Sequence, residues 1–137
     1  MTASTLRLSG LILVLSAFGT QAIAAEGAYR RTCRINGGQA WDIQISGDQL
    51  SLCRFGGLGF SVDTYYSAKV DRLVPDAVAA FRSGPTTCER AGGSETSASD
   101  LENNAVSICR FEDSSIVESA ALEQGPVGAP ALARALR

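Results

Sequence analysis

The chain has 137 residues, 12 Lys and Arg against 14 Asp and Glu, no histidine and four cysteines. With 45% hydrophobic and 19% charged residues it carries enough apolar material for a packed core, which excludes wholesale disorder. The slightly acidic balance lacks the basic footprint of a nucleic-acid binder, and the missing histidine removes the usual general base at neutral pH, the commonest zinc ligand and every histidine-dependent triad.

At the start of the chain, Arg7 precedes an apolar run from Leu8 to Phe18, and Ala22-Ile23-Ala24 supplies the small-x-small pattern read by a signal peptidase. The run is far short of the roughly 20 residues that span a bilayer. Residues 1–24 are therefore expected to be a removable signal peptide, which makes the mature chain periplasmic or secreted, with no membrane insertion after cleavage. Thiols in such an oxidising compartment pair, and four of them allow three connectivities. The nearly equal spacing favours Cys33 with Cys53 and Cys88 with Cys109, each pair bracketing a similar segment.

That similarity reads as an internal repeat. Thr32-Cys33-Arg34-Ile35-Asn36-Gly37-Gly38 matches Thr87-Cys88-Glu89-Arg90-Ala91-Gly92-Gly93, and Leu50-Ser51-Leu52-Cys53-Arg54-Phe55 matches Val106-Ser107-Ile108-Cys109-Arg110-Phe111. In the first unit, residues 25–85, a short helix carrying Cys33 ends at the glycine pair. Trp41, Ile43 and Ile45 then alternate with Asp42, Gln44 and Ser46 as in a half-buried strand. Gly47-Asp48 makes the turn and Leu50 to Phe55 the return strand. Gly56-Gly57-Leu58-Gly59 is expected to be a flexible connection, since no Lys-Ser/Thr follows to complete a phosphate loop. A helical stretch from Asp63 to Arg82, restarted at Pro75-Asp76, closes the unit.

The second unit, residues 86–126, repeats the plan with its turn around Glu102-Asn103-Asn104. Ser115-Ile116-Val117-Glu118 reads as a capping box that starts the closing helix, and Gly125-Pro126 stops it. Residues 127–137 are an Ala-rich tail, mobile or marginally helical. The expected fold class is thus α+β: two tandem small helix, β-hairpin, helix units, each with one disulfide. Closing each loop contributes roughly 3 kcal/mol on the chain-entropy account.

The series Cys88-x-x-x-Gly92-Gly93, then Cys109-Arg110-Phe111-Glu112-Asp113-Ser114-Ser115, then Glu118 to Gly125, resembles a short cysteine-containing bacterial domain of unknown function that carries a haemolysin label. That family shows Cys-x-x-x-Gly-Gly, a hairpin, Cys-x-Phe-x-Asp-Gly-Ser and a closing helix bearing a second cysteine pair. Here Val117 and Val127 stand where that second pair would fall, and Ala120 replaces a tryptophan. The resemblance covers almost all of the second unit and the first half of the first. The label implies lysis, yet the mature chain shows no amphipathic or continuous apolar segment of the length a pore needs.

Few residues stand out as chemistry. Ser61, Asp63, Tyr65 and Tyr66 follow the first hairpin; a polar-tipped ring suits interfaces, which makes the tyrosines candidate contacts for a partner, but the favoured expectation is that one packs under the helix and the other is an ordinary surface residue. Arg54 and Arg110 occupy matching positions, suited to pairing with Asp63, Asp113 or Glu118 or to holding a ligand carboxylate. Residues 86–129 are markedly acidic, suited to a basic partner or to the Arg30, Arg31 and Arg34 cluster. No acidic pair, metal set or cofactor motif is singled out, so neither catalytic residues nor cofactors are expected. The sequence reads as an exported, non-enzymatic, disulfide-stabilised binding or structural module with a protein partner in the cell envelope. The alternative is an inhibitor of an exported hydrolase, presenting Gly56 to Tyr66.

Overall fold

The computed structural model describes residues 27–137; the expected signal peptide at 1–24 lies outside the described residues. Helix α1 is helical over residues 27–35 and leads to strands β1 (Gln39–Ile45), β2 (Asp48–Phe55) and β3 (Leu58–Ser61). Two helices follow, α2 (Val62–Lys69) and α3 (Asp76–Ser83), then β4 (Ser94–Asp100), β5 (Ala105–Arg110) and β6 (Ile116–Glu118). Helices α4 (Ser119–Gly128) and α5 (Pro130–Ala135) end the chain.

The six strands close into one antiparallel barrel in the order β1-β2-β3-β6-β5-β4. This overturns the expected pair of tandem helix, hairpin, helix units. Each hairpin gains a third strand, giving two meanders whose inner faces are both apolar. Ile43 and Leu52 from one and Ala98, Val106, Ile108 and Ile116 from the other form a single buried cluster inside the barrel. Two separate units would each leave half of that surface in water; closing one barrel over it removes both halves and leaves no continuous free edge. The seams are short: β1 meets β4 at Ile43↔Asp100 and Gln44↔Ser99, and β3 meets β6 at Phe60↔Val117.

Both third strands are hidden in sequence. Gly56 and Gly57 have φ of 66° and 87°, so this pair is a tight hairpin turn of left-handed residues and not a flexible connection. In the expected capping box, Ile116-Val117-Glu118 is a strand, and Ser115 instead accepts from the backbone N–H of Ala77 on α3 at 2.9 Å. The helix start therefore moves to Ser119, and Gly125 breaks it with a φ of 65°.

Outward-facing residues of the same strands meet the helices. Cys53, Phe55, Phe60, Cys109 and Val117 join Tyr65, Val78, Phe81, Leu122 and Leu132 in a second core. The tail expected to be mobile or marginally helical is helical over α5 and part of this core: α5 buries Leu132, and the Tyr65 hydroxyl donates to the Ala135 carbonyl at 3.0 Å.

The disulfides join Cys33 to Cys53 and Cys88 to Cys109. Each first cysteine opens a Cys-x-x-x-Gly-Gly segment with one hydrogen-bond pattern. Gly38 and Gly37 donate to the carbonyls of Cys33 and Arg34, and Gly93 and Gly92 donate to those of Cys88 and Glu89. This is a Schellman cap, whose left-handed position is filled by Gly37 and by Gly92, both at φ 87°. The second glycine has a different duty. A Cβ on Gly38 would lie 2.7 Å from Cys53 Sγ, and one on Gly93 would lie 2.2 Å from Cys109 Sγ, so both must stay bare for the bridge to pass. Around Cys33 the segment belongs to α1; around Cys88 it is a lone turn.

Candidate functional site

A cleft of about 390 Å³ opens between α2, the loop that links it to α3, and the β5–β6 turn. Its shape follows from how α3 begins. Pro75 occupies the N-cap and has no side chain to cap with. The β5–β6 turn supplies the missing acceptors: Asp113 Oδ2 accepts from Asp76 N at 2.8 Å, beside the Ser115 contact with Ala77 N. Ser115 in turn donates through Oγ and N to Asp113 Oδ1, at 2.6 and 3.0 Å. Asp113 and Ser115 of the Cys-x-Phe-x-Asp-x-Ser segment are thus a cap delivered from another element.

With its far wall fixed, the cleft receives an apolar lip from the α2–α3 loop. Leu73 and Val74 stand 60% and 62% exposed, following Arg72 at a φ of 56°. Across from them lie Asp63 in the first turn of α2, Ser67 and the Asp113–Ser115 turn. Partial desolvation raises the Asp113 carboxyl, but the hydrogen bonds from Asp76 N, Ser115 Oγ and Ser115 N outweigh it and hold Asp113 below the ordinary carboxylate value. A carboxylate held ionised is unsuited to general-acid work near neutral pH and well suited to accepting hydrogen bonds or a cation. Among the described residues no three Cys, Asp or Glu side chains gather in a way that would hold a metal ion.

Of the residues marked out by sequence, Asp63 and Asp113 line this cleft, but the tyrosines and the two matching arginines do not. Tyr65 is fully buried against Phe55, with ring centroids 5.2 Å apart, and burial pushes its hydroxyl up to about 12. It is a core residue and not a surface contact. Tyr66 is half-buried and packs on Tyr29 of α1 at 4.9 Å. Ser61 is buried, capping α2 and bonding Thr64. Much of the segment Gly56 to Tyr66 is therefore interior strand and helix, so it is not a displayed inhibitory loop. Arg110 is exposed at the end of β5.

Arg54 points into the barrel. Its guanidinium grips Glu118 of β6 through two bonds, Nη2 to Oε1 at 2.6 Å and Nε to Oε2 at 3.1 Å, and lies over the Trp41 ring. The backbone N–H of Gly59 donates to the same carboxylate at 2.7 Å. Glu118 therefore ties β2, β3 and β6 together beside the seam. Nearby, Asp100 accepts from the backbone N–H groups of Asn104 and Glu102 and from the Asn104 side chain, which hold it below the ordinary carboxylate range. Trp41 Nε1 assists from close by without reaching full hydrogen-bond geometry. Arg30 bonds Asp42 and Ser51 of its own meander and not the acidic second half. The hydrogen bonds from Ser51 and Arg30 keep Asp42 well ionised.

The sequence reading missed the Leu73–Val74 lip. Its signal is the two consecutive aliphatics before Pro75, which fall inside the helical stretch expected from Asp63 up to the interruption at Pro75, whereas α2 ends at Lys69. No protein-family model, curated protein or solved structure matches the chain.

Proposed function

We propose that the chain is an exported binding module that recognises a protein partner through the cleft edged by Leu73 and Val74. The observation that supports this most directly is the pairing of an exposed aliphatic lip with the hydrogen-bonded Asp113 carboxylate on a disulfide-braced barrel. Exposed aliphatics next to fixed polar groups are the ingredients of a contact surface, and a rigid support reduces the ordering cost of binding. The two disulfides suit an oxidising compartment, in keeping with export.

Inhibition of an exported hydrolase is the second reading. It is favoured by the same loop, in which two aliphatics are displayed between anchored helices. The test is affinity capture from envelope extract with the oxidised chain and with Leu73→Asp or Val74→Asp. A stoichiometric partner retained by the parent and lost by both variants supports recognition at the cleft. Retention by both variants refutes it. A captured hydrolase whose turnover falls on binding selects the inhibitor reading.

A further inference from the structure

Three helices far apart in sequence lie side by side on the outer face of β2. Helix α1 is fastened there by the Cys33–Cys53 bridge and by Arg30 on Ser51. Helices α2 and α5 pack on the same strand. They are also joined to one another: Tyr29 of α1 meets Tyr66 of α2, and Lys69 of α2 donates to the Arg137 carbonyl just beyond α5.

This layer collects charge of one sign. With the residues just beyond the helix ends included, it carries Arg30, Arg31, Arg34, Lys69, Arg134 and Arg137 against two side-chain carboxylates, Asp63 and Asp71. The rest of the described chain has five basic residues against eleven side-chain carboxylates. Arg30 is engaged by Asp42, but Arg31, Arg34, Arg134 and Arg137 are all exposed. Aliphatic side chains stand among these cations. Ile35, next to Arg34 at the end of α1, is 74% exposed, and Val70, next to Lys69 at the end of α2, is exposed as well.

We propose that the α1, α2 and α5 layer docks the protein peripherally on an anionic phospholipid surface. Basic side chains interleaved with protruding aliphatics match a negatively charged headgroup layer over an apolar interior. The carboxylate-rich remainder of the barrel would be repelled by the same surface, so charge also sets the orientation. Among the described residues no helix is long and apolar enough to cross a membrane, and the contact proposed is a superficial one. This face is distinct from the Leu73–Val74 lip, and either surface can be disabled without touching the other.

The test uses the oxidised chain from Ala25 onward, which contains every described element, and sedimentation with vesicles of phosphatidylcholine alone or mixed with phosphatidylglycerol. Binding is expected to the mixed vesicles only and to weaken as salt rises. Each basic side chain removed should lower partitioning about fivefold, so Arg31→Gln, Arg34→Gln and Arg134→Gln together should lower it by about a hundredfold. The same net charge change placed elsewhere, Arg82→Gln, Arg90→Gln and Arg110→Gln, should alter it by less than about threefold, with circular dichroism showing that both triple variants fold. Equal binding to neutral vesicles, no binding to either, or equal losses from the two triple variants overturns the proposal. Tighter binding to a short DNA duplex than to the anionic vesicles also overturns it.

Discussion

Replacing Glu118 with alanine tests the account of how the barrel closes. The Glu118 side chain is 6% exposed and its Arg54 partner 16%, so the replacement leaves a guanidinium nearly dry and unpaired. Breaking a buried pair in this way costs about 3–5 kcal/mol. Gly59 N–H also loses its acceptor, and the β3–β6 seam retains the single register pair Phe60↔Val117. Against the roughly 5–15 kcal/mol that stabilises a whole domain, such a loss is large, and it corresponds to a fall in melting temperature of about 12–20 °C for a chain of this length. Thermal and urea unfolding followed by circular dichroism measure it. The double replacement Arg54→Met with Glu118→Leu removes both charges, so most of the loss should be recovered, leaving about 1–3 kcal/mol for the orphaned Gly59 N–H. A single variant that loses less than about 1 kcal/mol, or a double variant no better than the single, refutes this role for the pair.

Other consequences are equally direct. Reducing both disulfides should lower the unfolding free energy by about 3 kcal/mol per bridge and weaken one shared transition, because both bridges brace one barrel; two separated melting steps would contradict this. Asp42 and Asp113 have folded-state pKa values below those of the unfolded chain, so their stabilisation is present above about pH 4 and is lost as pH falls through the lowered values. Urea midpoints should therefore drop below about pH 4, and Asp113→Asn should flatten that acid limb. Gly59→Ala should prevent folding or cost more than about 3 kcal/mol, since its Cβ would stand 1.9 Å from the Cys53 carbonyl oxygen, read as loss of soluble yield or of the melt. Ser114→Gly should raise stability by about 0.5–1 kcal/mol, because Ser114 holds a φ of 70° that glycine adopts without a steric penalty.

What the sequence determined by itself was local. The disulfide pairing followed from spacing, the hairpin turns from glycine and asparagine, the restart of helix at Pro75-Asp76 from proline chemistry, and the breaks at Gly37 and Gly125 from their freedom at positive φ. Each of these depends on a few neighbouring residues, and their side chains announce it. The third strands were not legible. A Gly-Gly pair serves a loose connection or a tight turn equally, and Ser-Ile-Val-Glu serves a helix start or a strand equally, until the partner strands are in place. The tertiary structure decided between them: pairing β3 with β6 buries Phe60 and Val117, and Glu118 finds Arg54 sixty-four positions away. It likewise turned Tyr65 inward, and it assembled the basic face from α1, α2 and α5. Burial and charge are summed over space, whereas the chain records them only in order.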